Sequence, residues 1–149
     1  MNEPETIERI LKEAKTIAVV GLSANPEKTS HHVAQFLQSK GYRIIPVNPT
    51  VQGEILGEKA YPNLQSIPEP FDVADVFRRA EDIPDVVDDA IAAGAKTLWI
   101  QLGIVNEEAA ARAERAGMTV VMDRCTMAEH RGRWGQTVTG TDEDTRSSL

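Results

Sequence analysis

The sequence contains one cysteine and no long apolar run, and each shortage excludes a class of protein. With Cys125 as its only cysteine, the chain can form neither an internal disulfide nor a cysteine-based zinc site. The N-terminus is charged, and no segment approaches the length of a membrane-spanning helix. We therefore expect a cytoplasmic protein that does not associate with membranes.

Basic residues are also in short supply. The chain has 16 Lys and Arg against 23 Asp and Glu, which gives a formal net charge of -7. Binding to nucleic acid or to a membrane surface needs a broad basic face, so the composition disfavours both partners. The carboxylates of Asp72, Asp75 and Asp123 do not have the spacing of a metal site, and we predict none. An anionic ligand would have to meet local positive charge.

Five apolar segments with the character of strands alternate with amphipathic helical patterns. This alternation predicts a parallel sheet with right-handed crossovers and with helices on both faces. We predict an α/β, Rossmann-like three-layer fold with a five-stranded parallel sheet in the order 3-2-1-4-5. The strand segments are, in chain order, "TIAVV", "YRIIPVNP", "DVADVF", "TLWIQLGIV" and "MTVVMD".

Two stretches show no such periodicity. The linker "TVQGEILGEKAYPNLQSIPEP" is rich in Gly and Pro, and we predict an irregular crossing with at most one short helical turn. The stretch 135–149 is polar and acidic, which is typical of a loose tail. The predicted organisation is therefore one domain over residues 1–134 followed by a tail.

The turn after the first strand resembles a nucleotide-binding turn with missing glycines. Gly21 stands where the fingerprint G-x-G-x-x-G begins, but Ser23 and Pro26 replace its second and third glycines. Backbone amides at the start of the next helix can still meet a phosphate, helped by the side chains of Ser23, Asn25 and Lys28. The same residues also fit a plain capped connection, so this turn alone leaves both interpretations open.

The end of the second strand weakens the case for a nicotinamide cofactor. NAD-binding domains place an acidic side chain there, and NADP-binding domains place a basic one. Here the chain reads Asn48, Pro49 and Thr50, which supply neither charge. An NAD(P)-dependent oxidoreductase domain remains an alternative, as does an interaction module that has lost its ligand. The basic residues Lys28, Arg78 and Arg79 argue against an empty scaffold.

The run of motifs resembles the small single-domain bacterial CoA-binding proteins. The segments "GLSANPEKTSHH", "PVNP", "FDVADVFR", "WIQLGI" and "VVMDRCTMAEH" occur in this order and cover most of the chain. These proteins are similar to the N-terminal CoA-binding domain of the succinyl-CoA synthetase alpha subunit. The resemblance implies a Rossmann-like fold that binds CoA or an acyl-CoA at the carboxyl ends of its strands, as a non-catalytic binding or regulatory module.

The resemblance also implies a set of cofactor-binding residues. Relatives often carry a basic residue where Thr50 stands and a proline where Arg79 stands. Arg79 would replace the missing charge only if its side chain turned toward the pocket. The implied residues are Gly21, Ser23, Asn25, Lys28, Asn48, Pro49, Phe77, Arg78, Arg79, Gln101 and Gly103.

No catalytic residue is predicted, because no nucleophile, base and orienting group occur together. The phosphorylated histidine of the synthetase belongs to a second domain, so we expect its ligase mechanism not to transfer. His31, His32 and His130 are predicted to be surface or capping residues, with a phosphate contact left open for His31. Cys125 follows the fifth strand, where it would either face the pocket mouth or pack as a small apolar residue.

Overall fold

Five parallel strands form the central sheet of the computed structural model, which describes residues 1–135. Their residues are almost entirely buried, as expected for strands with helices on both faces. Two further strands of two residues each, β3 and β4, pair as an antiparallel hairpin. The strands are β1 (Thr16–Val20), β2 (Arg43–Val47), β3 (Glu54–Ile55), β4 (Glu58–Lys59), β5 (Val73–Val76), β6 (Thr97–Ile100) and β7 (Thr119–Met122).

Helices cover both faces of this sheet, which confirms the Rossmann-like three-layer fold. One face packs against the first, second and fifth helices, and the other packs against the third and fourth. The helices are α1 (Pro4–Glu13), α2 (Thr29–Ser39), α3 (Ile83–Ala92), α4 (Glu107–Arg115) and α5 (Thr126–His130), with a 3-10 turn at Ala80–Asp82 and a π-helical turn at Arg131–Gly135.

The central sheet has the order β2-β1-β5-β6-β7. Tyr61 forms a parallel bridge with Val47 on the outer side of β2. If Tyr61 is counted as the third position, the sequence of positions runs Tyr61, β2, β1, β5, β6, which is consistent with the predicted order 3-2-1-4-5. The assignment of "DVADVF" to that third position is wrong, because this segment is β5 and pairs with β1. The outer edge of β2 is already occupied: Tyr61 N donates to Pro46 O, and Asn48 N donates to Tyr61 O.

The linker between β2 and β5 also differs from the prediction. It contains the β3–β4 hairpin instead of a helical turn.

Of the predicted tail, only Gly135 lies within the described residues, and positions 136–149 lie outside them. No helix in the described part of the chain is both long and apolar enough to cross a membrane.

Candidate functional site

The carboxyl ends of β1 and β5 form a crevice at the centre of the sheet. The helices that follow these two neighbouring strands, α2 and α3, pack on opposite faces. Ligands of doubly wound folds bind where the strand connections diverge in this way. The residues that follow β1, β2 and β5 are therefore those with access to a ligand.

Gly21 lies directly against the backbone of the neighbouring strand end. Its N–H donates to Val47 O over 2.8 Å, and its φ is +85°. A Cβ at this position would lie 2.3 Å from Phe77 O and 3.1 Å from Cδ of Arg78. Only glycine fits, so the predicted turn residue has a definite steric role. The contact also places Arg78 across the first turn.

The loop after Gly21 is closed by its own side chains. Oγ of Ser23 accepts from Asn25 N over 3.0 Å, and Oδ1 of Asn25 accepts from Glu27 N over 3.0 Å. Oγ of Ser30 accepts from Ser23 N, also over 3.0 Å. His31 is buried, and its Nδ1 donates to Ser23 O over 2.8 Å. His31 thus fixes the shape of the loop, a role that the sequence interpretation missed.

The start of α2 is electropositive. The residue that precedes it, Lys28, makes no side-chain capping bond, and the first turn contains no acidic residue. The free amides and the helix dipole at this end are therefore not neutralised by a nearby carboxylate of the same turn. The Lys28 side chain is exposed beside them. This end of α2 has the electrostatic character of a phosphate site.

Asn48 ties the second strand end to the first. Its Nδ2 donates to Leu22 O over 2.9 Å. Its Oδ1 accepts from the N–H and the hydroxyl of Thr50, over 2.9 and 2.7 Å. Thr50, which stands where relatives often have a basic residue, therefore stabilises the turn rather than extending toward a ligand. Asn48 positions Pro49 at the edge of the crevice.

The two arginines after β5 are oriented differently. Arg79 is 74% exposed and pairs with Glu81 and Asp82, at 3.5 and 3.3 Å. Arg78 is only 37% exposed and pairs with a single carboxylate, that of Asp82, at 3.4 Å. Burial acts to raise the pKa of Asp82, but bonds from Arg79 and then Arg78 lower it overall. Arg78 is thus the arginine nearer the crevice, whereas Arg79 is held by carboxylates.

A cavity of about 170 Å³ opens beside Arg78 at the same edge of the sheet. Val20, Val47 and Pro49 form its apolar wall. The remaining lining includes several carboxylates on and before α3. The complete lining is Val20, Val47, Pro49, Pro62, Asn63, Arg78, Asp82, Asp85, Val86 and Asp89.

Gln101, one of the predicted cofactor-binding residues, belongs to a buried polar cluster. Its Nε2 donates to Oδ1 of Asp75 over 2.5 Å and to Oγ1 of Thr126 over 2.9 Å. The Thr126 hydroxyl donates to Oδ2 of Asp75 over 3.2 Å. Asp75 is fully buried, and burial raises its pKa to about 7, although the bonds from Gln101 and Thr126 act to lower it.

The remaining predicted residues lie around this edge. Gly103 is exposed on the loop after β6, where its N–H donates to Oδ1 of Asp123 over 2.7 Å. Phe77 is half-buried against the core on the α1 and α2 side, as is Cys125 just before α5. Within residues 1–135, no group of three or more His, Cys, Asp or Glu side chains is placed to hold a metal ion.

Comparisons with known proteins identify the family and the fold. The family model described as a CoA binding domain matches residues 15–131. The uncharacterized protein YneT of Bacillus subtilis (strain 168) is 47% identical over 124 residues, which cover 83% of this chain and 91% of the relative. The structure of a hypothetical protein from Pyrococcus horikoshii OT3 superposes with a TM-score of 0.83 at 39% identity, and the match covers 87% of this chain and 91% of that one.

A longer enzyme also contains a similar segment. The ADP-forming acetate–CoA ligase I of Archaeoglobus fulgidus is 30% identical over 121 residues, which cover 74% of this chain but only 18% of the ligase. The family model spans most of the present chain, and the fold places the matched motifs at one edge of the sheet. The chain therefore belongs to the CoA-binding domain family.

Proposed function

We propose that this protein binds CoA or an acyl-CoA in the crevice between β1 and β5, as a non-catalytic binding or regulatory module. The observation that carries the proposal is the close approach of Gly21 to Phe77, which sets the first turn and Arg78 side by side at the divergence of the strands. The family match supplies the ligand class. We place the protein in the cytoplasm, where CoA is used.

The phosphates of CoA would lie over the first turn and the start of α2. The free amides of this helix end and the exposed ammonium of Lys28 supply positive character there. Arg78 approaches from the end of the neighbouring strand β5, and because it pairs with only one carboxylate, at 3.4 Å, its remaining N–H groups can bind a phosphate. Ser23 and Asn25 shape the loop through their oxygens, which accept from the loop's own amides, and the Ser23 hydroxyl proton and the Asn25 Nδ2 group can still donate to the ligand.

The neighbouring 170 Å³ cavity suits an uncharged part of the ligand. Asp82, Asp85 and Asp89 line it, and such carboxylates would repel a phosphate. Asp89 already accepts from Leu64 and Gln65, and Asp82 pairs with the two arginines. Asp85 is therefore the carboxylate that can accept a hydrogen bond from the amino group of an adenine ring. The apolar wall of Val20 and Val47 would pack against the face of that ring. We therefore place adenine in the cavity and the phosphates outside it.

The structure favours this proposal over an NAD(P)-dependent oxidoreductase. The side chain at the end of β2, Asn48, has both its amide nitrogen and its oxygen engaged with Leu22 and Thr50. It therefore has little capacity left to hold the ribose hydroxyls in place of an acidic residue. The groups around the crevice serve mainly to shape loops, which supports a binding role rather than catalysis.

Removing Arg78 or Lys28 is expected to weaken CoA binding. We expect Arg78→Ala and Lys28→Ala each to cost about 1–3 kcal/mol of binding free energy, or about fivefold to 150-fold in Kd, as for the loss of a hydrogen bond to a charged group. Calorimetric titration with CoA measures both. Arg79→Ala is the matched control, because this side chain already pairs with Glu81 and Asp82 and should change Kd little. Parent-like affinity in both test variants would place the phosphates elsewhere.

A further inference from the structure

A second cavity, of about 300 Å³, lies at the opposite edge of the sheet, where β1 and β2 begin. The five residues of β1 separate it from the nucleotide crevice by roughly 16 Å. Its volume falls at the lower end of the range of about 300–1,000 Å³ for small-molecule sites. We call it the amino-edge cavity. The residues that line it are Leu11, Lys12, Ala14, Lys15, Lys40, Gly41, Tyr42, His130 and Trp134.

Positive charge is concentrated around the amino-edge cavity in a protein whose net charge is -7. Lys12, Lys15 and Lys40 line it, and no carboxylate does so among the described residues. None of these lysines forms a salt bridge with any residue between positions 1 and 135. Lys40 and Arg131 both lie over the ring of Phe36, at 5.5 and 5.0 Å from its centre. Like charges that converge in this way create a favourable place for an anion.

The walls of the amino-edge cavity are flat and aromatic. The ring of His130 lies edge-on to Trp134 and Tyr42, with centroid distances of 5.0 and 6.0 Å. The Tyr42 hydroxyl donates to Leu11 O, which fixes that ring against α1. Such walls favour a planar apolar body, which can stack on one ring and meet the edge of another.

His130, one of the residues that line the amino-edge cavity, contributes a ring rather than an accessible polar atom. Nδ1 of His130 is buried and makes no hydrogen bond with any described residue. Burial lowers the pKa of His130, and the nearby Lys40 ammonium lowers it further. Because its pKa lies below the usual value, the His130 ring stays uncharged at neutral pH and belongs to the aromatic wall of the cavity rather than to its ring of lysines.

We propose that the amino-edge cavity is a second binding site, which takes a small organic anion with a planar apolar body, such as an aromatic carboxylate. The aromatic walls hold the body, and the lysines pair with the carboxylate. Because the cavity lies across the sheet from the nucleotide crevice, this ligand and CoA bind to the same molecule without competing.

The test uses 2-naphthoate as the probe and 2-naphthamide as its uncharged counterpart. The proposal predicts saturable binding of 2-naphthoate that shifts the NMR signals of the His130 ring and the Trp134 indole. It predicts binding of the amide at least fivefold weaker. Saturating CoA should leave the affinity for 2-naphthoate unchanged. Displacement by CoA, or equal affinity for the amide and the acid, would overturn the proposal.

Charge-only variants locate the probe. We expect Lys40→Gln to weaken 2-naphthoate binding about threefold to tenfold and the triple change of Lys12, Lys15 and Lys40 to Gln to abolish it. Lys59→Gln is the matched control, since Lys59 also lies over an aromatic ring, 5.3 Å from the centre of Tyr61, but outside the cavity. The lysines are exposed, so folding should persist and is checked by circular dichroism. Parent-like binding by the triple variant would rule out this site.

Discussion

Replacing Gly21 with alanine is expected to lower the free energy of unfolding by about 3 kcal/mol. At a φ of +85°, a non-glycine residue costs about 1–2 kcal/mol. The added Cβ would also lie 2.3 Å from Phe77 O, so one of the two strand ends must move. Overpacking of this kind costs about 1–3 kcal/mol. Urea denaturation measures the change as a lower transition midpoint.

Gly103→Ala separates the two contributions. Gly103 has nearly the same φ, +86°, but a Cβ there would meet no atom within 4 Å. This variant should lose only the conformational part, about 1–2 kcal/mol. An equal loss in the two variants would mean that the contact between Gly21 and Phe77 is not tight, and the argument for a fixed first turn would fail.

Asp75→Asn is expected to remove a pH dependence from the stability of the protein. Burial raises the pKa of Asp75 from 3.8 to about 7, so between these values the folded state binds a proton that the unfolded state has released. The contribution of this group to stability is therefore present at low pH and is lost as the pH rises toward 7. The gap between the two pKa values corresponds to about 4 kcal/mol at most.

The asparagine variant should be more stable than the parent above pH 7, where the parent buries a charged carboxylate. Its Oδ1 can accept from Gln101, and its Nδ2 can donate to the Thr126 hydroxyl, so the cluster stays hydrogen-bonded. Unfolding free energies measured from pH 5 to pH 8 should diverge between parent and variant as the pH rises. The exposed Asp85→Asn variant is the control and should parallel the parent. Parallel curves for Asp75→Asn would show that Asp75 does not titrate in this range.

Periodicity and capping residues were sufficient to predict most elements of the fold. β1 was predicted with its observed bounds, because the five residues from Thr16 are nearly all apolar and end at a glycine. The cap of α4 follows an equally local rule, since Asn106 directly precedes the helix and its Oδ1 accepts from Ala109 N over 3.0 Å. Such features depend on residues close in sequence, and local patterns describe them well.

The features that the sequence could not predict depend on contacts between distant segments. The position of β5 beside β1 depends on Tyr61, which occupies the outer edge of β2 from within an irregular linker. The burial of Gln101 depends on Asp75 and Thr126, which are 26 and 25 residues away along the chain. An aspartate in the middle of an apolar strand was the available signal for this cluster. The direction of Arg79 likewise follows from the carboxylates that happen to lie beside it.

Parallel calorimetric titrations with CoA, NAD and NADP test the central claim most directly. Our account predicts saturable binding of CoA, with both dinucleotides at least tenfold weaker, because Asn48 stands where an NAD site needs an acidic residue. The affinity for CoA should fall as salt is added, since Lys28 and the exposed part of Arg78 pair with phosphate in contact with solvent. Tight binding of NAD in the same series, with no detectable heat from CoA, would contradict the account.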